Sequence, residues 1–479
     1  MSEFISNVLK LVSGSVIAQI LAVLLIPIIT RLYTPEDYGL FSLILAITAI
    51  IAIFSSLSYQ LAIMLPKEDE DAAHIVTLCG ILILFSSILT GVICIFFADT
   101  LANALNVPAL AHYLWCVPFL VFFTAIFSVL SYWNSRRKRF GVYAVAQVTN
   151  SLSGKGVQIG TGISYASPFG LILGSIVGFF CAILVMMKGF RGDLEFFKNT
   201  TKRRMKELAI RYKKFPLFTS WSTSANELSR QLPSIMLTFF FNSAIVGLYS
   251  LAYQVIMLPS ALIGTATAQV FFQRASEEKN SGRPIKGIVQ SIHQRLVIIG
   301  IFPMIIIFII GQDLFSLIFG SNWSVAGIYA RWLIPWIFLM FISSPLTVIF
   351  SILERQELAL IFDILLLASR VVSLFIGGIL GDPLLTIMIF SLTGTIFCFI
   401  MNMIILKLSE LRIIDELKHI FKSIFLGIIF TIPLLFGKFF AIGNVGLLGI
   451  AIIIGIFYYY VIIKIDPTIN MWFKSFQFK

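Results

Sequence analysis

The sequence predicts an all-α polytopic membrane protein with about fourteen transmembrane helices, arranged as two six-helix lobes and two further C-terminal helices. Three observations support this prediction. The 479 residues are 58% hydrophobic and only 12% charged, which is about half the charged fraction of a soluble domain. Apolar runs of about twenty residues, the length that crosses about 30 Å of hydrocarbon, recur along the whole chain. Short motifs also repeat in the same order in the two halves.

The apolar runs place the spans one after another along the chain. No small-residue cleavage site follows the first run, so we expect a retained helix rather than a signal peptide. The predicted spans are residues 9–30, 39–62, 74–97, 113–133, 142–163, 169–188, 217–241, 244–270, 289–310, 328–351, 358–379, 384–406, 421–438 and 444–463. The predicted segments are an N-lobe at 1–189, a basic cytoplasmic linker at 190–216, a C-lobe at 217–406, and a last segment with two helices and a cytoplasmic C-terminus at 407–479.

Basic residues are distributed unevenly between the connections. The connections between consecutive predicted spans are numbered in chain order, so that connection 1 joins the first and second spans. The odd-numbered connections hold only Arg31 and Lys438, whereas lysine and arginine are abundant in the even-numbered ones. The positive-inside rule therefore predicts that both termini are cytoplasmic. This topology accounts for the net charge of +12 without a nucleic-acid partner. The densest basic run, Lys198–Lys214, is interpreted as a topogenic linker that lies on anionic headgroups.

Three motifs indicate an internal duplication. Six helices per unit is an even number, so both units enter the membrane from the same side and form a parallel repeat. Two such lobes with a site between them are typical of transporters, and the last two helices form an appended pair. The matched motifs are Gly39–Leu43 with Gly247–Leu251, Trp115-x-x-Pro118 with Trp332-x-x-Pro335, and Ser175-x-x-Gly178 with Ser391-x-x-Gly394.

Ionisable side chains inside the predicted spans are candidate functional residues, because a charge at the bilayer centre costs about 2.5–3.5 kcal/mol. Lys155, Arg230 and Arg370 are predicted to line a cavity and to bind an anionic group. Lys155 and Arg370 occupy nearly equivalent positions of the repeat. The residues with a possible further role in the cavity or in ion coupling are Gln19, Asn150, Glu227, Arg331 and Asp363.

Structural interpretations of several of these residues stay open. Glu227 and Arg230 are three residues apart and share a helix face, so they can neutralise each other. Arg331 can extend to the outer surface, and Asp363 can pair with a loop cation. Burial of Glu227 would favour proton uptake and Arg230 would oppose it, which leaves the coupling ion undecided.

The sequence shows no pattern of an enzyme or of a cofactor site. It contains no phosphate-binding loop of the GxxxxGK[ST] kind and no metal-ligand spacing of cysteines. We therefore predict no cofactor, no metal and no catalytic residue. The five cysteines fall inside apolar runs, and the four histidines lie near helix ends and suggest no cluster: Cys79, Cys94, Cys116, Cys181, Cys398, and His74, His112, His293, His419.

Two segments carry a family resemblance. Arg31–Gly39, after the first span, and Ala62–Ala72, after the second, resemble the Wzx-type polysaccharide-unit flippases of the multidrug/oligosaccharidyl-lipid/polysaccharide exporter (MOP) superfamily. The resemblance implies a two-lobed, V-shaped, MATE-like fold with a cationic central cavity. It also implies transfer of undecaprenyl-pyrophosphate-linked oligosaccharide units across a bacterial inner membrane, for assembly of O-antigen or capsule.

The expected partners are this lipid-linked oligosaccharide, membrane lipids, a polysaccharide polymerase and a chain-length regulator. A drug or cation antiporter of the same superfamily is the first alternative, although such a protein needs acidic cavity residues. A membrane glycan polymerase or ligase is the second, and it needs a large outer loop. A non-transporting scaffold is the third, and it has no need of the polar stripes.

Overall fold

The computed structural model describes residues 3–465, with side chains from Ile17 onward except at positions 191, 265, 266, 269 and 465. The predicted cytoplasmic C-terminus at 466–479 lies outside the described residues.

One compact unit ends at Ser250 and a second begins at Leu251; we call these the first and second units. The described helices are α1 Glu3–Leu32, α2 Pro35–Ser55, α3 Tyr59–Ala62, α4 Asp69–Ala104, α5 Val117–Arg136, α6 Phe140–Ser164, α7 Pro168–Lys188, α8 Leu194–Lys198, α9 Lys202–Arg211, α10 Ser220–Phe240, α11 Ser243–Ile256, α12 Thr265–Asn280, α13 Lys286–Phe319, α14 Ser324–Ser343, α15 Ile349–Ile352, α16 Gln356–Ile379, α17 Pro383–Leu408, α18 Ile413–Phe439 and α19 Asn444–Ile465.

Ten of the helices described over residues 3–465 are long and apolar enough to cross a membrane. Two shorter apolar helices, Ile17–Leu32 and Ser243–Ile256, accompany them. The all-helical membrane class is therefore confirmed, but the count of fourteen spans is not. The difference arises partly because α6 and α10 carry polar stripes that lower their hydropathy. The ten are α2, α4, α5, α7, α13, α14, α16, α17, α18 and α19.

The predicted span at 244–270 is interrupted in the structure. Helix α11 ends at Ile256, and a π-helical turn, Ser260–Gly264, precedes α12. Pro259 lies at this break and has no backbone N–H to continue the hydrogen-bond ladder. The continuous helix expected here was therefore wrong.

Helix α2 begins with a complete cap within the first segment of the family resemblance. The Thr34 side chain accepts a hydrogen bond from the backbone N–H of Asp37, and the Asp37 carboxylate accepts from the backbone N–H of Thr34. Pro35 occupies the first helical position, where its missing N–H costs nothing. The Thr-Pro-Glu-Asp sequence of this turn thus has a local structural reason, because it satisfies the free amides at the start of the helix.

The repeated glycines Gly39 and Gly247 meet where α2 crosses α11 within the first unit. A Cβ on Gly39 would overlap the carbonyl of Ser243 and lie 2.9 Å from the Gly247 nitrogen. A Cβ on Gly247 would overlap the carbonyl of Pro35 and lie 3.0 Å from the Gly39 nitrogen. Each glycine thus faces the residue one turn before the other, so the contact between the two helices is reciprocal.

Helix α9, in the predicted linker, packs against the first unit. Arg204 forms two hydrogen bonds of 2.8 Å with the Asp71 carboxylate. Leu208 is buried, and the Tyr59 hydroxyl donates to the carbonyl of Ala209 at 3.0 Å. One face of the linker helix is therefore fixed to α3 and α4.

A buried aspartate fixes the start of the linker. Asp193 has no exposed surface, and its carboxylate accepts hydrogen bonds from the Arg139 guanidinium at 2.6 and 2.9 Å and from the Trp133 indole at 3.0 Å. Charge-assisted bonds of this kind satisfy a carboxylate that burial would otherwise destabilise. The acidic side chains at this end of the unit therefore have structural partners.

In the second unit, the appended helices α18 and α19 are fixed to α13. The Tyr458 hydroxyl donates to the carbonyl of Ile298 at 3.1 Å, and the Tyr459 hydroxyl donates to that of Ile299 at 2.9 Å. The rings of Phe302 and Tyr458 stack with centroids 4.3 Å apart. Aromatic packing and hydrogen bonds to main-chain carbonyls together attach the C-terminal pair to this unit.

Candidate functional site

Helix α6 lies between α1 and α7, and glycines set its distance from α7. A Cβ on Gly174 would lie 2.6 Å from the carbonyl oxygen of Gly154, and one on Gly178 would lie 2.8 Å from that of Asn150. Small residues allow this close approach of two helix backbones. The register of α6 is therefore fixed, and its polar side chains have defined positions.

Lys155 is the charged residue of the α6 polar stripe. Its side chain is half-buried, and Nζ donates a hydrogen bond to Gln158 Oε1 at 3.1 Å. Gln158 is buried and is held in turn by its own Nε2, which donates to the carbonyl of Leu171 at 2.9 Å. Within the described part of the chain, no carboxylate forms an ion pair with Lys155. Among the described residues, its hydrogen-bond partner is thus a neutral amide.

The other candidates of α1 and α6 lie around this stripe. The Ser151 hydroxyl donates to the carbonyl of Ala18 at 3.0 Å, which joins α6 to α1. Gln19, the next residue of α1, is exposed. Asn150 lies against α7, with its Oδ1 2.5 Å from the position that a Cβ on Gly178 would take. The structure therefore places Asn150 at a helix contact and leaves Gln19 accessible.

On α10, Glu227 and Arg230 are neighbours. Glu227 Oε1 accepts a hydrogen bond from Gln231 Nε2 at 2.7 Å, and Glu227 Oε2 lies 3.6 Å from Arg230 Nη1. The Arg230 side chain is 68% exposed, whereas that of Glu227 is 20% exposed. Arg230 thus makes a loose, accessible ion pair, and α10 belongs to the first unit together with Lys155.

In the second unit, Arg370 lies on an aromatic group. Its guanidinium carbon is 5.4 Å from the ring centroid of Trp336, a buried indole whose edge-on neighbour is Phe390 at 5.0 Å. An arginine over a tryptophan face gains a cation–π attraction that grows as water is excluded. Asp363, seven residues earlier on α16, is exposed.

Arg331, a residue of α14, contacts α13 at a kink. Ile310 has non-helical dihedral angles (φ −118°, ψ 20°), and Arg331 Nη2 donates to the carbonyl of Ile309 at 3.3 Å. Lys438 Nζ donates to the same carbonyl at 3.1 Å and pairs with Asp313 at 2.9 Å. Both cations therefore donate a hydrogen bond to a main-chain carbonyl at an irregular point of the helix.

Sequence reasoning missed a buried polar cluster between α13 and α18. His293 and Glu416 are fully buried, and His293 Nδ1 lies 2.9 Å from Glu416 Oε2. The reading that the histidines take part in no cluster was wrong for His293, because its acidic partner lies more than a hundred residues away in the chain. A signal did exist: Gln290, His293 and Gln294 share one face of α13.

The described residues, with ten helices long and apolar enough to span a membrane, define a multi-pass membrane protein. The chain belongs to the family described as polysaccharide biosynthesis protein, whose sequence profile matches residues 28–327. No curated protein matches the sequence significantly.

Solved structures of transporters share the fold. The lipid II flippase MurJ in an inward closed conformation aligns with a TM-score of 0.73 at 12% identity, covering 95% of this chain and 98% of its own. A multidrug resistance MATE family transporter of the MOP superfamily, in its inward-facing conformation, aligns with a TM-score of 0.61 at 13% identity, covering 82% of this chain and 96% of its own. A MOP superfamily transporter from Pyrococcus furiosus aligns at 0.55 and 16% identity, with 84% and 96% covered.

These comparisons confirm the predicted all-helical, MATE-like fold. The family of this chain is one of polysaccharide biosynthesis, and the solved structures that share its fold are those of transporters.

Proposed function

We propose that the protein moves polyprenyl-pyrophosphate-linked oligosaccharide units from the cytoplasmic to the outer leaflet of a bacterial inner membrane, for assembly of O-antigen or capsule. The observation that carries this proposal is Lys155, a half-buried cation whose hydrogen-bond partner is the neutral Gln158 amide. An isolated charge of this kind is costly inside a bilayer, so it is retained where a ligand supplies the opposite charge.

A pyrophosphate meets this requirement. It offers several anionic oxygens, and charge-assisted hydrogen bonds to phosphate are about twice as strong as neutral ones. In the second unit, the Arg370 guanidinium lies on Trp336 and adds a second half-buried cation. We propose Lys155, Arg230 and Arg370 as the substrate-binding cations of the chain, of which Arg230 is the accessible one.

The drug or cation antiporter is the competing function, since MATE transporters share the fold. A cationic drug requires an accessible acidic side chain. Glu227, the half-buried acid of α10, is already engaged by Gln231 and Arg230. This arrangement favours an anionic substrate over a cationic one.

The test is deletion of the gene in its native host, followed by mass spectrometry of lipid-linked sugars and measurement of surface polysaccharide. We expect loss of the surface polymer and accumulation of single repeat units on the lipid carrier, both reversed by the wild-type gene. Unchanged surface polysaccharide together with greater sensitivity to cationic dyes would instead establish the antiporter function. The mass of the accumulated lipid also identifies the sugar units, and a strain that lacks the polymerase accumulates the same units on the outer leaflet.

A further inference from the structure

Four polar side chains form a buried cluster between α13 and α18 of the second unit. Glu416 Oε1 accepts hydrogen bonds from Gln290 Nε2 at 2.9 Å and from Gln294 Nε2 at 3.0 Å. Glu416 Oε2 lies 2.9 Å from His293 Nδ1. Glu416 and His293 have no exposed surface. The carboxylate thus has three neighbours that can donate to it, and all three come from one face of α13.

The cluster has two protonation states that differ in net charge and in the hydrogen bonds they require. With a neutral imidazole, Glu416 carries an uncompensated negative charge in a buried place, which costs several kcal/mol in proteins even after relaxation. With a protonated imidazole, the pair is neutral, but the second N–H needs an acceptor. His293 Nε2 is buried and has no hydrogen-bond partner among the described residues. Each state therefore leaves one group of the cluster without a full set of partners.

The net charge of the cluster depends on His293 and Glu416 themselves. Among the described residues, His293 is the charged group that acts on Glu416, and the other contributors are the neutral amides of Gln290 and Gln294. Arg295 follows His293 by two residues, which places it on a different face of α13. His419 lies one turn after Glu416 on α18 and is the other titratable side chain of that face. His293 is thus positioned to change the net charge of the cluster.

We propose that His293 and Glu416 form a proton-binding site that couples proton uptake to transport, which rests on the flippase function proposed above. The proton is taken up at His293 Nε2 and later released from the same nitrogen, and no other covalent bond changes. Uptake converts a buried negative charge into a neutral ion pair. The two partners belong to α13 and to the appended α18, so the charge change alters the electrostatic attraction that fixes α18 to its unit.

Proton binding is tested by nitrogen NMR of the full-length protein in lipid nanodiscs with labelled histidine. The chain has only four histidines, so the variant His293→Gln assigns the signal by its loss. We expect this signal to change from the neutral to the protonated form between about pH 5 and pH 8. A signal that keeps one form across this range overturns the proposal, whatever the protein transports.

Coupling is tested in proteoliposomes that contain a fluorescent polyprenyl-pyrophosphate-linked oligosaccharide. A pH gradient is expected to accelerate flipping by wild type about fivefold or more. His293→Gln and Glu416→Gln are expected to flip at the rate seen without a gradient and to lose the acceleration. His112→Gln, an exposed histidine of the first unit, is the matched control and keeps it.

The outcomes separate the two proposals. Acceleration that persists in both cluster variants overturns coupling at this site but leaves the flippase function intact. Absence of flipping in the wild type overturns the flippase function, and the NMR experiment then decides alone whether the cluster binds a proton. If His293→Gln fails to fold, Glu416→Gln keeps the size and hydrogen-bonding capacity of the side chain and carries the test.

Discussion

The α6 stripe of the first unit and the α13 kink of the second unit each place a cation in an apolar region, and they hold it in different ways. Lys155 donates to the side-chain amide of Gln158. Arg331 donates to the main-chain carbonyl of Ile309, next to the non-helical residue Ile310. Lys438 reaches the same carbonyl. One cation lies beside a neutral side chain, and the other two complete the hydrogen bonding of an irregular helix.

This difference shows that depth alone does not identify a substrate-binding cation. A buried charge needs a compensating partner, and the identity of that partner separates the two uses. Where the partner is an irregular part of the main chain, the cation stabilises the fold. Where the protein offers only an amide, the remaining bonds of the cation are available to a ligand. The variants below test this distinction.

The largest effect is expected for Lys155→Ala. Loss of one charge-assisted hydrogen bond to pyrophosphate, worth about 1.5–3 kcal/mol, should lower the flipping rate about 10- to 100-fold. The measurement is the rate at which fluorescent lipid-linked oligosaccharide becomes accessible on the opposite leaflet of proteoliposomes, with protein amount determined by immunoblot.

Two controls accompany Lys155→Ala. Lys155→Arg keeps the charge and should retain most of the rate. Lys188→Ala removes an exposed lysine from the last turn of α7 and should leave the rate unchanged. A wild-type rate for Lys155→Ala would falsify the assignment of this residue to substrate binding.

The second effect concerns folding and compares the two halves of the repeat directly. Gly39→Ala and Gly247→Ala each place a Cβ into the main chain of the opposite helix. Overpacking of this kind costs about 1–3 kcal/mol, and the reciprocal geometry predicts similar losses at the two positions. Thermal unfolding of the purified protein measures both.

Gly80→Ala and Gly141→Ala serve as controls, because an added Cβ would meet nothing within 4 Å at either position. Both should be neutral or slightly stabilising, since alanine favours a helix over glycine by up to about 1 kcal/mol. A large loss at Gly39 with none at Gly247 would contradict the equivalence of the two repeat positions.

The third effect is expected for Arg331→Met, which removes a donor from the carbonyl of Ile309. Lys438 still donates to this carbonyl, so the loss is that of one hydrogen bond, about 0.5–1.5 kcal/mol, and the melting temperature should fall slightly while flipping per folded molecule stays near that of wild type. Lys438→Met should cost less, because the Lys438 side chain is 41% exposed and water can replace it. A loss of flipping by Arg331→Met without a loss of stability would instead indicate that Arg331 binds substrate.

Local features of the fold were predictable from the sequence. The membrane class follows from apolar runs, and the polar stripe of α6 from its spacing; Lys155 and Gln158, three residues apart, do form a hydrogen bond. The motif shared by Gly39 and Gly247 indicated a repeat, although not that the two glycines touch.

Long-range partners were not predictable. The acceptor of Arg331 is an ordinary isoleucine carbonyl that is exposed by a kink at Ile310, a position without proline. Glu416 lies in the first turn of α18, where an acid is usually explained by the helix dipole. His293 lies more than a hundred residues away from it, and only the packing of α18 on α13 brings the two together.

The smallest effect is expected in a third group of cations, on α9 of the linker. Arg204 pairs with Asp71 and Glu207, and the hydrogen bond from Arg204 lowers the pKa of Glu207. These side chains are partly exposed, and ion pairs screened by water in this way contribute little to stability. Asp71→Asn should therefore loosen α9 without unfolding the first unit. Hydrogen exchange of the amides of residues 202–211 measures the change.

The pH dependence of this contact has a defined sign. A carboxylate with a lowered pKa stabilises the folded state above its unfolded value of about 4.3, and that contribution is lost as the pH falls through the lowered value. Protection of the α9 amides, corrected for the intrinsic pH dependence of exchange, should thus fall below about pH 4 in wild type and change less in Glu207→Gln. Arg203→Ala removes a cation that is 92% exposed and pairs with Glu207 but not with Asp71, so it should change exchange less than Asp71→Asn does. Equal acceleration by Arg203→Ala and Asp71→Asn would mean that the net charge of the linker, rather than the Arg204 pair, holds α9 in place.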